Sequence, residues 1–157
     1  MTTIRPLQPE HYEELYPIQC RAANVYGMTL QQFSDGMGQR SGFTVFHNDK
    51  IIGCVSFSDY IPDHDIMMHT FIDHDYRGKW INRQMIRDVF LHYCFGQLNC
   101  RRVTTCVIEG QTDNAHKMLQ KLGFVLEGTI RKRVKIEADF FNLEIYGALK
   151  EEFRGRI

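Results

Sequence analysis

The amino-acid sequence predicts a mixed α/β fold in which one layer of β-sheet is covered by helices. Three kinds of observation carry that reading. Apolar runs rich in β-branched and aromatic residues recur at 42–46, 51–57, 65–72, 102–109, 124–130 and 141–149, each of strand length. Several intervening stretches space their apolar residues by three and four, the period of an amphipathic helix. Glycines and an Asn-Asp pair separate the two kinds of segment. The resulting order is β-α-α-β-β-β-α-β-α-β-β, on a chain whose 157 residues are expected to form one domain, 1–157.

Residues 3–7 read as a short edge strand, because Pro6 has no N–H to give a ladder. Pro9 and Glu10 suit a helix's first turn, and Tyr12, Leu15, Tyr16 and Cys20 give that helix an apolar side. Pro17 is expected to kink or split it, and Gly27 to end it. Thr29 is a good N-cap for a second short helix carrying Leu30 and Phe33, closed by Gly36 and Gly38. Runs 42–46 and 51–57 flank Asn48-Asp49 and form a hairpin. Residues 59–65 read as a loop whose Asp59, Asp63 and Asp65 would attract a cationic amine or, more simply, be solvated.

The chain is organised around the segment 65–97. The run 65–72 is a strand, 73–79 a polar turn, and then Ile86, Val89, Phe90, Tyr93 and Cys94 fall on one helical face. A strand feeding a helix through a glycine-containing turn is an anion-binding arrangement, because helix N-termini carry unpaired N–H groups. Lys79, Arg83 and Arg87, at i, i+4 and i+8, are expected to line one side of that helix. A strand at 102–109 comes next, then Thr112 as the N-cap of a helix with Ala115, Met118, Leu119 and Leu122 inward, stopped by Gly123. Strands 124–130 and 141–149 close the chain, joined by a basic segment, 131–135, and Glu137 and Asp139. Arg131, Arg133 and Lys135 would share one strand face, most simply a solvated one.

Lys plus Arg and Asp plus Glu are equal at 19 each, which gives no reason to expect a nucleic-acid partner. No apolar run reaches bilayer-spanning length and the N-terminus lacks a leader's apolar core, so no membrane partner is expected and the location is read as cytoplasmic. Five cysteines without a C-x-x-C pair suit buried free thiols in a reducing compartment.

The element order, the Leu122-Gly-Phe124 ending of the last helix, and the run 119–131 followed by Asp139, Ile145-Tyr-Gly147 and Lys150-Glu-Glu152 resemble the GCN5-related N-acetyltransferase (GNAT) superfamily. The likeness covers almost the whole chain. It is greatest to the branch of ribosomal-protein N-terminal acetyltransferases and to bacteriophage acetyltransferase-like proteins. It implies a mostly antiparallel central sheet of about seven strands flanked by about four helices. It also implies acetyl-CoA as co-substrate, a primary amine (a protein N-terminus or a small molecule) as acceptor, and no metal; a homodimer stays open. Acetyl-CoA would lie along the central strand, with Phe71 or Ile72 offering a backbone N–H to the oxyanion. The loop and helix start, Arg77, Gly78, Lys79, Trp80, Ile81, Asn82 and Arg83, would hold the pyrophosphate. Thr112 and Asn114 stand where the family contacts pantetheine. Trp80 and Asn82 replace two family glycines, and Leu119 replaces a tyrosine that protonates the CoA thiolate in many members. That triple favours the alternative, an acetyltransferase fold retained as a binding or structural module.

Among catalytic candidates, His69 lies on the central strand and, as a histidine, can titrate near neutrality, so it suits the base that takes the amine proton. The competing role is a hydrogen-bonded structural histidine. Tyr146 is the candidate acid, or else a core residue with its hydroxyl at the rim. His64, His69 and His74 recur every five residues and alternate faces, which argues against a metal site. Neither Cys100 nor Cys106 is expected to act as a nucleophile. Glu109 is a candidate for binding the amine, or simply fastens a loop.

Overall fold

The computed structural model describes residues 1–22, 27–110 and 115–153, with only the backbone of Arg83. The expected Thr112 cap and the Asn114 contact therefore lie outside the described residues. Seven strands form one sheet: β1 (Thr2–Pro6), β2 (Ser41–His47), β3 (Lys50–Ile61), β4 (Asp65–Ile72), β5 (Arg102–Ile108), β6 (Val125–Ile136) and β7 (Asp139–Leu149), in the order β1-β2-β3-β4-β5-β7-β6. The α-helices among the described residues are α1 (Tyr12–Ala22), α2 (Leu30–Met37), α3 (Arg83–Ile86, continued as a π-helix over Arg87–Gln97), α4 (Ala115–Lys121) and α5 (Lys150–Phe153). The chain divides into two compact units, Met1–Ser58 with Met68–Met85, and Asp59–Met67 with Ile86–Ile157.

In the first unit, Asn48 and Asp49 adopt φ of 48° and 63°, the left-handed pair that closes a two-residue hairpin between β2 and β3. Its core gathers Leu15 and Ile18 of α1, Phe33 and Met37 of α2, and Phe46, Ile51, Cys54 and Phe71 of the sheet. Thr29 caps α2 as its sequence suggests, accepting from the Gln32 N–H while Gln32 bonds back to the Thr29 N–H. Pro17 does not split α1, which runs unbroken through it. The carbonyl deprived of a donor belongs to Glu13, an exposed residue that water can satisfy.

In the second unit, Phe90 and Phe95 of the π-helix pack on Phe153 with ring centroids 5.2 and 5.4 Å apart, and Phe90 on Phe124 at 5.8 Å. Here the expected helical face is corrected. A π-helix closes i→i+5 bonds, as between the Leu98 N–H and the Tyr93 carbonyl, so more residues fit each turn. Burial consequently passes through Met85, Val89, Phe90, Cys94 and Phe95, while Ile86 and Tyr93 are only half-buried.

Three further expectations change. Residues 59–61 are strand rather than loop, leaving a turn at 62–64. That turn is held by the His64 carbonyl, which accepts from the Arg101 and Arg102 N–H groups, and by Asn99 donating to Asp63. The basic segment 131–135 belongs to β6 rather than to a connection. A bulge absorbs it: Lys132 sits at φ 52° with its N–H on Asn142 Oδ1, and the pairing with β7 shifts between Ile130 and Val134. The five cysteines are free thiols, but Cys20 is half-buried and Cys106 exposed, so burial holds only for Cys54, Cys94 and Cys100. No helix among the described residues is long and apolar enough to cross a membrane.

Candidate active site

Strand β4 spans Asp65–Ile72 as expected and delivers the first set of residues. Phe71 and Ile72 are buried, so what they offer a ligand is backbone. β3 approaches closely here: a Cβ on Gly53 would strike the Phe71 carbonyl and lie 2.9 Å from Ile72 Cα. The Asp73 N–H continues the contact, bonding the Ile52 carbonyl at 2.8 Å. His69 is half-buried, and its Nε2 lies 2.7 Å from the Ser58 hydroxyl of β3. Among the described residues, Thr70 Oγ1 is the buried side-chain oxygen with no hydrogen-bond partner.

The turn after β4 is pinned on several sides. Asp73 accepts from the Asp75 N–H and faces Arg21 at 3.7 Å. The Tyr76 ring packs 5.2 Å from that of His47, with the Lys50 ammonium 5.5 Å from its centroid. Arg77 donates to the Ala22 carbonyl at 3.3 Å. Gly78 turns at φ 77° with open space where a Cβ would be, and Gly78 and Lys79 are exposed. Ile81 is half-buried, and the Trp80 indole is buried.

The helix begins at Arg83, so Lys79 precedes it and the expected Lys79–Arg83–Arg87 line on one helix side is not formed. The cause is Asn82. Its Oδ1 accepts from the Met85 N–H at 2.9 Å, an N-cap, while its Nδ2 donates to the Thr2 carbonyl at 3.1 Å. One side chain thus starts the helix and ties it to β1.

The candidates of the second unit are engaged differently. Tyr146 is buried and its hydroxyl donates to Glu144 at 2.7 Å; burial first, and then that carboxylate, push its pKa up to about 12. Glu109 accepts from the Asn142 amide at 2.7 Å, which fastens β5 to β7. Leu119 is buried in α4. Burial first, then Asp65 and Asp63, raise the Cys100 thiol above its usual range. Among the described residues, no group of three His, Cys, Asp or Glu is arranged to hold a metal ion.

Ser58 and Thr70 were not singled out by sequence. A tight hairpin about residues 62–64 sets 58 beside 69, and reading 59–65 as an open loop concealed that pairing. The available signal was slight: Ser58 stands between the apolar run 51–57 and Asp59.

The site is thus a central strand opening through a pinned, glycine-containing turn into a capped helix, within a seven-stranded α/β sheet. Residues 3–124 match the model of the Acetyltransferase (GNAT) family, and the chain belongs to that family. No curated protein sequence matches it. Solved structures do. A spermidine N-acetyltransferase SpeG chimera from Vibrio cholerae and hSSAT superposes with a TM-score of 0.80 at 19% identity, over 99% of each chain. An N-acetyltransferase from Staphylococcus aureus Mu50 gives 0.76 at 18% identity, over 95% of this chain and 98% of that one. A GNAT-family acetyltransferase from Streptococcus pneumoniae gives 0.73 at 18%, over 95% and 99%. At such identities the likeness is one of fold.

Proposed function

We propose that the chain is an N-acetyltransferase, a single domain that moves an acetyl group from acetyl-CoA to a primary amine by direct attack. The observation that carries this is the family match across β4, its turn and the helix beyond it. Acetyl-CoA supplies the activated acetyl group as a thioester. The donor set suits its phosphates: exposed Lys79, an open backbone at Gly78, and the polypeptide from Arg77 to Arg83 at a helix start. The two departures from the family glycines have structural explanations that leave this reading intact. Trp80 puts its indole into the protein interior, and Asn82 is the helix cap.

The amine attacks the thioester carbonyl, and a backbone N–H at Phe71 or Ile72 stabilises the oxyanion. His69 receives the proton that the amine sheds, and the C–S bond breaks with its electron pair going to sulfur. Tyr146, whose hydroxyl donates to Glu144 and whose pKa is pushed up to about 12, is given no part in the proton transfer. The acceptor is a small-molecule amine or a protein N-terminus. The spermidine N-acetyltransferase among the structural neighbours supports the first, and the sequence likeness to the ribosomal N-terminal branch supports the second.

Isothermal titration with acetyl-CoA, then thioester consumption across a panel of spermidine, amino acids and short peptides, tests the proposal. Saturable binding followed by turnover with one amine class is expected. Absence of binding would leave the fold as a binding or structural module. With the productive amine, His69→Gln is expected to cut kcat by at least about a hundredfold.

A further inference from the structure

Resting on the reading of His69 as the base, we propose that Ser58 is its positioning residue, a hydroxyl on β3 that fixes the imidazole of β4 through the change of charge it undergoes. The bond is short, 2.7 Å from Oγ to Nε2, and both residues are half-buried. Ser58 occupies the place where β3 passes from core to surface: residues 51–57 are buried and 59–61 exposed. The imidazole it bonds is likewise half-buried, at the border of the interior where a base that takes a proton from a substrate has to be.

Ser58 follows the apolar run 51–57 and precedes Asp59, so it sits where the strand turns from apolar to polar. A hydroxyl has one property that apolar side chains lack: it both donates and accepts. Beside the neutral imidazole that can act as base, Oγ accepts from Nε2–H, and Nδ1 is the nitrogen that takes the amine's proton. Once the ring is imidazolium, both ring nitrogens donate, and Oγ accepts from Nε2–H. The contact thus survives proton transfer and holds the ring's plane while the reaction proceeds. The balance is simple: an amine N–H bond breaks and a ring N–H bond forms, the C–N bond forms as C–S breaks, and Ser58 ends with the proton it began with. Rotational freedom removed beforehand need not be removed during attack.

The test compares Ser58→Thr with Ser58→Val, two branched side chains of matched shape that a strand accommodates, of which only threonine keeps the hydroxyl. Using acetyl-CoA and the productive amine, Ser58→Val is expected to lower kcat about tenfold, with KM for acetyl-CoA unchanged, and Ser58→Thr to restore most of it. Added to His69→Gln, Ser58→Val is expected to cost nothing more. Nitrogen NMR of the His69 ring supplies a readout that needs no turnover: one tautomer in the native and Thr proteins, a mixture in the Val protein. Equal kcat for the Val and Thr proteins, or one unchanged tautomer in both, overturns the role of Ser58 while leaving His69 as base. Full activity of His69→Gln instead overturns the base assignment, and the positioning role falls with it.

Discussion

At the scale of single residues, the site's geometry depends on a missing side chain. Gly53 lets β3 come against the backbone of Phe71 and Ile72, and the obstruction a Cβ would meet there is main chain, which cannot rotate aside. Gly53→Ala is expected to destabilise the fold by at least about 2 kcal/mol, read as a shift in urea midpoint with unchanged slope. Thr70 is the opposite case. Its buried hydroxyl has no partner, so it bears a desolvation cost with nothing in return. Thr70→Val keeps the shape and is expected to raise stability by about 1 kcal/mol in the unliganded protein, measured in the same titration.

At the scale of elements, the strand–turn–helix at residues 65–97 shows what was legible in the sequence. The strand's limits, the Asn48-Asp49 hairpin turn and the Thr29 cap were readable because each depends on neighbours in sequence. The helix register was not, because a π-helix is chosen by packing, here on Phe124 and Phe153, far along the chain. The β6 bulge at Lys132 was hidden for a similar reason, since Asn142 of the partner strand secures it. The Ser58–His69 contact needed the length of β3, which solvent-facing Asp59 and Tyr60 disguised as loop. The two positions where the family carries glycine become readable only with the cap and the indole in view. Asn82→Ala is expected to cost about 1 kcal/mol, and Asn82→Asp less, because aspartate retains the capping oxygen. Trp80→Gly, which restores the family residue, is expected to lose about 3–5 kcal/mol by emptying a buried site rather than to improve acetyl-CoA affinity. Thermal melts beside acetyl-CoA titrations separate those outcomes.

At the scale of the whole molecule, the sheet keeps several weak acids protonated, and that ties the stability of the fold to alkaline pH. Burial lifts the Cys54 thiol from its ordinary 9.0 to about 12, against the smaller opposing pulls of Arg40 and a bond with Ser56. Burial and the Glu144 carboxylate lift Tyr146 from 10.0 to about 12. Proton counts give the sign. Above pH 9 the unfolded chain gives up the Cys54 proton while the folded chain retains it, so the folded state binds more protons and stability falls as pH rises. The contribution is whole below pH 9 and is lost on passing through 12; Tyr146 adds the same trend from 10 upward. Within that window each group contributes a slope of up to about 1.4 kcal/mol per pH unit. Urea midpoints measured from pH 8 to 11 are therefore expected to stay level at first and then decline with increasing steepness. Cys54→Ala, though less stable throughout, removes one of the titrating groups and is expected to decline more gently between pH 9 and 10. A variant curve parallel to the native one would show that the buried thiol is not what links this fold to the proton.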